Sequence, residues 1–155
     1  MPFFKGPGKS PMPVKHSEIS SWDDQIKEAC EINQILIATW NEMKSAVNKH
    51  INNIGMENYK IIEESENTLS LNVFGIKFLI DFEINIKSAT IKYIKLHRNI
   101  ETINLEGNLI AEIVIKAESP NQEVDIKFNQ FSYIKVKDLG LIHAWIILNK
   151  AEGPV

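Results

Sequence analysis

The side chains best placed to do acid–base or metal chemistry are four histidines, His16, His50, His97 and His143. Imidazole titrates near neutral pH without help and is the commonest metal ligand. None of the four has a second ligand-type residue at metal-site spacing. His16-Ser17-Glu18 matches the H-x-E opening of a zinc deaminase signature, but no P-C-x-x-C follows it. No metal or other cofactor is therefore expected. His97 and Arg98 close a predicted strand ahead of the polar segment Asn99 to Thr102, the kind of place where binding residues collect. His143 lies in a nearly unbroken apolar run beside Trp145, and in a strand these two side chains would share a face. A buried histidine must find partners or lose its charge. Tyr93, His97, Arg98, His143 and Trp145 are accordingly the candidate ligand-binding residues. No catalytic residue can be named, because no nucleophile stands in a recognisable relation to a base.

Other chemistry-bearing patterns reduce to ordinary surface or core. Gly8-Lys9-Ser10 ends like a phosphate-binding loop, but the required earlier glycine is Phe3 and no strand has room to precede it. Glu63-Glu64 and Asp81 with Glu83 are paired carboxylates. Asp81 and Glu83 share a predicted strand face with Lys77 and Lys87, which reads as a mixed solvated surface. Lys127, Lys135 and Lys137 interleave with Phe131 and Tyr133 like a stacking platform for single strands, yet Glu123, Asp125, Glu112 and Glu118 balance them. The single cysteine, Cys30, excludes an internal disulfide and fits a reducing compartment. It falls inside a helical pattern and reads as a small buried apolar residue.

The elements that must position these residues are legible from periodicity. Over residues 21–54 apolar side chains recur at steps of three and four: Trp22, Ile26, Ala29, Leu36, Trp40, Met43, Val47, Ile51 and Ile54, with Asn33 in one slot. This predicts a long amphipathic helix. Ser21 is the expected cap and Gly55 the expected terminator. Ile32, Ile35 and Ile37 make the stripe wider than one sheet face requires, so a second cover is expected there. After Gly55 the period becomes two. Leu69, Leu71 and Val73 alternate with polar residues, the phase inverts at Phe74-Gly75, and a longer alternation follows over residues 76–87. A hairpin at the inversion is the expected reading. Further strands are predicted near 57–65, 90–98, 109–118, 123–136 and 141–149, the last because four of its residues are β-branched or aromatic. The fold expected is α+β: one long N-terminal helix packed on a curved antiparallel sheet of about six or seven strands.

Composition bounds the rest. The chain has 155 residues, 44% hydrophobic and 24% charged, an ordinary balance for one globular domain. Residues 1–16 hold four of the six prolines and three lysines without an acid, and are read as a flexible tail preceding a single domain over 17–155. The net charge of −3 and the absence of a basic face argue against nucleic acid. No apolar run of membrane-span length and no signal-peptide core occur, so a cytoplasmic protein without a membrane partner is expected. Two functional readings survive. The first is a non-catalytic binding or interaction protein of inhibitor, immunity or adaptor type, expected to bind a protein partner or to self-associate. The second is a small-ligand cup or enzyme with an apolar cavity between helix and sheet.

Overall fold

A computed structural model describes residues 16–150, with side chains from Ser21 onward. The expected tail, apart from His16, lies outside the described residues. The elements are α1 (His16–Ile54), β1 (Tyr59–Glu64), β2 (Thr68–Val73), β3 (Ile76–Ile84), β4 (Ser88–Arg98), β5 (Leu105–Lys116), β6 (Asp125–Phe128), β7 (Phe131–Ile134) and α2 (Leu139–Lys150). The seven strands form one antiparallel meander in the order of the sequence, left open at both edges. This is the α+β architecture that the periodicities predict.

α1 is continuous for 39 residues and ends at Gly55, whose φ of 65° lies in the left-handed region open to glycine. Its start differs from expectation. Nothing between His16 and Ser20 breaks a helix, so the helix begins at His16 and Ser21 is not its cap. The Ser21 hydroxyl instead accepts from the Gln25 side chain one turn on, at 3.2 Å. The helix also overruns the sheet. Its stripe is buried at Ile32, Leu36, Trp40, Met43, Val47 and Ile51, but Trp22 and Ile26 are exposed. Cys30 is exposed as well, contrary to the buried role expected of it, because it lies on the side of α1 turned away from the stripe of Ile32 and Leu36.

The Phe74-Gly75 inversion is a two-residue hairpin. Val73 pairs with Ile76, and both turn residues have positive φ, 55° and 88°, the combination that matches strand twist. The predicted strand 123–136 is two strands. Phe128 pairs with Phe131 across Asn129, whose φ of 52° is tolerated by an asparagine side chain. The segment 141–149 is helix, not strand. In α2 the buried set Leu139, Ile142, His143, Ile146 and Ile147 follows helical spacing, and the remaining area of the sheet face selects the helix over the β propensity of its isoleucines. The carboxylate of Asp138 accepts the Lys135 N–H at 3.0 Å and closes the turn that launches it.

Both helices lie on the same face of the sheet and run the same way. Trp40 of α1 stacks on Phe82 of β3, with centroids 5.2 Å apart and planes 3° from parallel, while its indole N–H donates to the Glu66 carbonyl at 2.8 Å. Trp145 of α2 meets Phe128 and Phe131 edge-on at 5.4 and 5.6 Å. Gly140 lies against Ala46, where an added Cβ would stand 3.7 Å from the alanine methyl. α2 and the turn before it supply the second cover that the wide stripe requires. Ile32 is fully buried, Ile35 is half-buried beside Val136, and Ile37 remains exposed.

Trp40 joins helix, sheet and the β1–β2 turn in one side chain. Trp40→Ala should therefore cost roughly 3–5 kcal/mol in denaturant unfolding, whereas a cost below about 1 kcal/mol would show that this junction does not hold the layers together.

Candidate functional site

Four polar side chains from four elements form one hydrogen-bonded chain inside the molecule. His50 of α1 reaches Tyr59 of β1, with Nδ1 2.8 Å from the hydroxyl. The same hydroxyl lies 2.7 Å from Nε2 of His143 on α2. His143 Nδ1 lies 2.5 Å from the hydroxyl of Tyr93 on β4. Tyr93 and His143 have no exposed surface and Tyr59 has 4%, while His50 is half-buried. The elements place these groups simply. Tyr93 continues the inward row of Ala89 and Ile91, and His143 lies on the inward stripe of α2. His50 comes one residue before the buried Ile51 in the last turn but one of α1.

Burial sets the protonation states. Desolvation, with a smaller contribution from nearby His50, lowers the His143 pKa to about 3, so the ring is neutral at physiological pH. Desolvation pushes both tyrosine hydroxyls above their ordinary range, and at Tyr93 the neighbouring Tyr59 adds to it. A neutral imidazole has one N–H and one acceptor nitrogen. Two directions of hydrogen bonding are then available. In one, Tyr93 donates to His143 Nδ1, His143 Nε2–H donates to Tyr59, and Tyr59 donates to His50 Nδ1. Every buried hydrogen is used, and His50 carries its own hydrogen on Nε2. In the reverse direction the Tyr93 hydroxyl hydrogen has no acceptor among the described residues in a fully buried site, which costs roughly 1–3 kcal/mol. The first direction is the ground state.

Both nitrogens of His143 are occupied by hydroxyls, so this ring has no free lone pair for a substrate. The free valence of the chain is at His50, whose Nε2 has no partner among the described residues. His50 lines a cleft of about 410 Å³ at the lower end of the molecule, where both helices end and β2 turns into β3. The cleft wall is apolar: Ile54, Phe74, Ile147 and Leu148 are its main surfaces, with Met56 and Asn58 beside them. Phe74 is 60% exposed although it is an aromatic residue at positive φ, a conformation that costs a bulky side chain energy. Its N–H donates to the Asn58 carbonyl at 2.7 Å and fixes the turn over the cleft.

The structure joins two of the five candidates read from the sequence, Tyr93 and His143. It places the other three elsewhere. Trp145 is two residues from His143 on a helix and faces Phe128 and Phe131 instead. His97 sits low on β4 with Nε2 3.6 Å from Glu106, and its Nδ1 has no hydrogen-bond partner among the described residues. Arg98 is exposed at the strand end. His50, Tyr59 and Phe74 are not in that candidate set. His50 reads in sequence as one of four histidines without a partner at metal-site spacing, and nothing short of the fold sets it beside Tyr59. Among the described residues no group of three His, Cys, Asp or Glu side chains gathers to hold a metal, and no helix is long and apolar enough to cross a membrane. No family model matches the chain, and neither a curated protein nor a solved structure matches it.

The depressed His143 pKa has a signed consequence. Between pH 6.5 and about 3 the unfolded chain binds a proton at this ring that the folded chain does not. Stability from this group is thus complete above pH 6.5 and falls with pH by up to about 1.4 kcal/mol per pH unit. Urea unfolding from pH 7 to 5 should show that slope, and long-range ¹H–¹⁵N spectra at pH 7 should show His143 as the Nε2–H tautomer. A His143 resonance titrating near pH 6.5 in the folded protein would refute the assignment.

Proposed function

We propose that this protein is a non-catalytic binding protein and that the lower cleft is its working surface. The observation that supports this is the contrast between interior and surface. The core around His143 is made of fully buried side chains, and the ring itself is closed off at both nitrogens. At the lower end, by contrast, Ile54, Phe74 and Leu148 are 50%, 60% and 80% exposed around one cleft. Exposed apolar surface gathered in a concavity is a mark of a binding site. Phe74 adds to it, since the first position of its turn favours asparagine or glycine, yet an aromatic ring stands there 60% exposed beside Tyr59, with centroids 6.2 Å apart.

Phe74→Asn should separate function from stability. The protein should become more stable by roughly 0.5–1 kcal/mol, through relief of the left-handed phenylalanine, while losing most of its binding of a neutral apolar dye such as Nile red. Unchanged dye binding would remove the cleft as the working surface.

A second reading, self-association, is supported at the other end of α1. The apolar stripe continues past the sheet through Trp22 and Ile26, 51% and 63% exposed, and Ile86 stands beside it at 68%. The stripe of a second copy, related by a twofold axis, is the complementary surface. Light scattering should give a dimer mass for the wild type that Trp22→Gln reduces to the monomer; a monomer at millimolar concentration would exclude this contact.

A further inference from the structure

We infer that the lower cleft selects an amphiphilic carboxylate, held as a single molecule with its aliphatic chain in the cleft and its head group on His50. The inference rests on the cleft being the working surface and names what occupies it. The volume of about 410 Å³ falls within the range of small-molecule sites. Among the described residues that line it there is no acidic side chain, and the Tyr59 hydroxyl is already committed to His50 and His143. The polar groups left to a ligand are His50 Nε2 and the Asn58 side chain.

The buried chain decides what His50 can offer. With every core hydrogen satisfied, His50 Nδ1 accepts from Tyr59, so Nε2 bears hydrogen and is a donor. A carboxylate accepts that hydrogen without disturbing anything behind it. An ammonium head needs Nε2 as an acceptor. That requires the hydrogen of His50 to move to Nδ1, Tyr59 to donate inward, and the proton of His143 to move to Nδ1. The Tyr93 hydroxyl, fully buried, would then lose its acceptor. One unsatisfied buried hydrogen corresponds to about a tenfold or greater loss of affinity. Tyr93 is therefore a positioning residue for head-group choice: it touches no ligand and acts through His143 and Tyr59.

The test compares decanoate with decylammonium, both below their micelle concentrations, by titration calorimetry and by shifts of the Phe74 and Leu148 resonances. Wild type should bind decanoate at least about tenfold more tightly. His50→Gln should abolish the preference, because a glutamine side chain offers both donor and acceptor. Tyr93→Phe should shrink it several-fold while leaving the shifted resonances the same, since without that hydroxyl neither direction of the chain satisfies His143. Because Tyr93→Phe alters the core, the His50→Gln result stands by itself if that variant does not fold. Equal affinity of wild type for the two amphiphiles overturns the inference, as does an unchanged preference in His50→Gln. Binding to anionic vesicles without binding of monomeric decanoate also overturns it. If Nile red binds at Phe74 while decanoate shows no preference, only this inference fails; if neither binds there, the cleft reading fails with it.

Discussion

A neutral imidazole at the centre of an apolar core is the constraint on which the rest of this structure turns. His143 has no access to water, so both of its nitrogens need partners from the protein. One partner comes from β4 and the other from β1, and the second of these is tied in turn to α1. Two helices and two strands that are not adjacent in the sheet thereby share one hydrogen-bond network. Apolar packing alone tolerates sliding of a helix over a sheet by a fraction of a turn, because Ile, Leu and Val interchange contacts at small cost. A chain of short hydrogen bonds does not. α2 can dock in one register only, the one that presents His143 between the two tyrosines.

That register has consequences at both ends of the molecule. With α2 fixed beside α1, their C-terminal turns finish together, and Ile54 and Leu148 face each other across the open end of the sandwich. The β2–β3 turn closes the third side and carries Phe74 there at the expense of backbone strain. At the opposite end α1 runs on past the β3–β4 turn, where Trp22 and Ile26 are left exposed. The interior is committed to structure, while the exposed apolar side chains discussed above gather where the layers run out.

The long helix and the meander were open to reading because burial on one face writes a period into the chain. Trp40, Met43 and Val47 mark a helix, and Leu69, Leu71 and Val73 mark a strand, whatever lies opposite them. Phe74-Gly75 was legible because a two-residue turn inverts the phase of that alternation. The break at Asn129 was not, since Phe128 and Phe131 straddle two turn residues that carry no glycine or proline. α2 was misread for a related reason: a run apolar on nearly every side has no period to detect, and β-branched residues then weigh toward strand. Of the buried chain, His143 could be marked as unusual from its apolar setting, but its partners could not be named. Tyr59 is 84 residues away from it and Tyr93 is 50, separations at which no local rule applies.

The sequence by itself determined where helix and strand could form, which faces they would bury, and that a histidine would be buried among them. Those properties depend on each residue and its near neighbours. Tertiary structure alone decided that 141–149 would be helical, because the uncovered half of the sheet offered more burial to a helix than an edge could to another strand. It also decided that His50, Tyr59, Tyr93 and His143 would meet, since hydrogen bonds of 2.5–2.8 Å are set by the docking of four elements and not by the composition of any one.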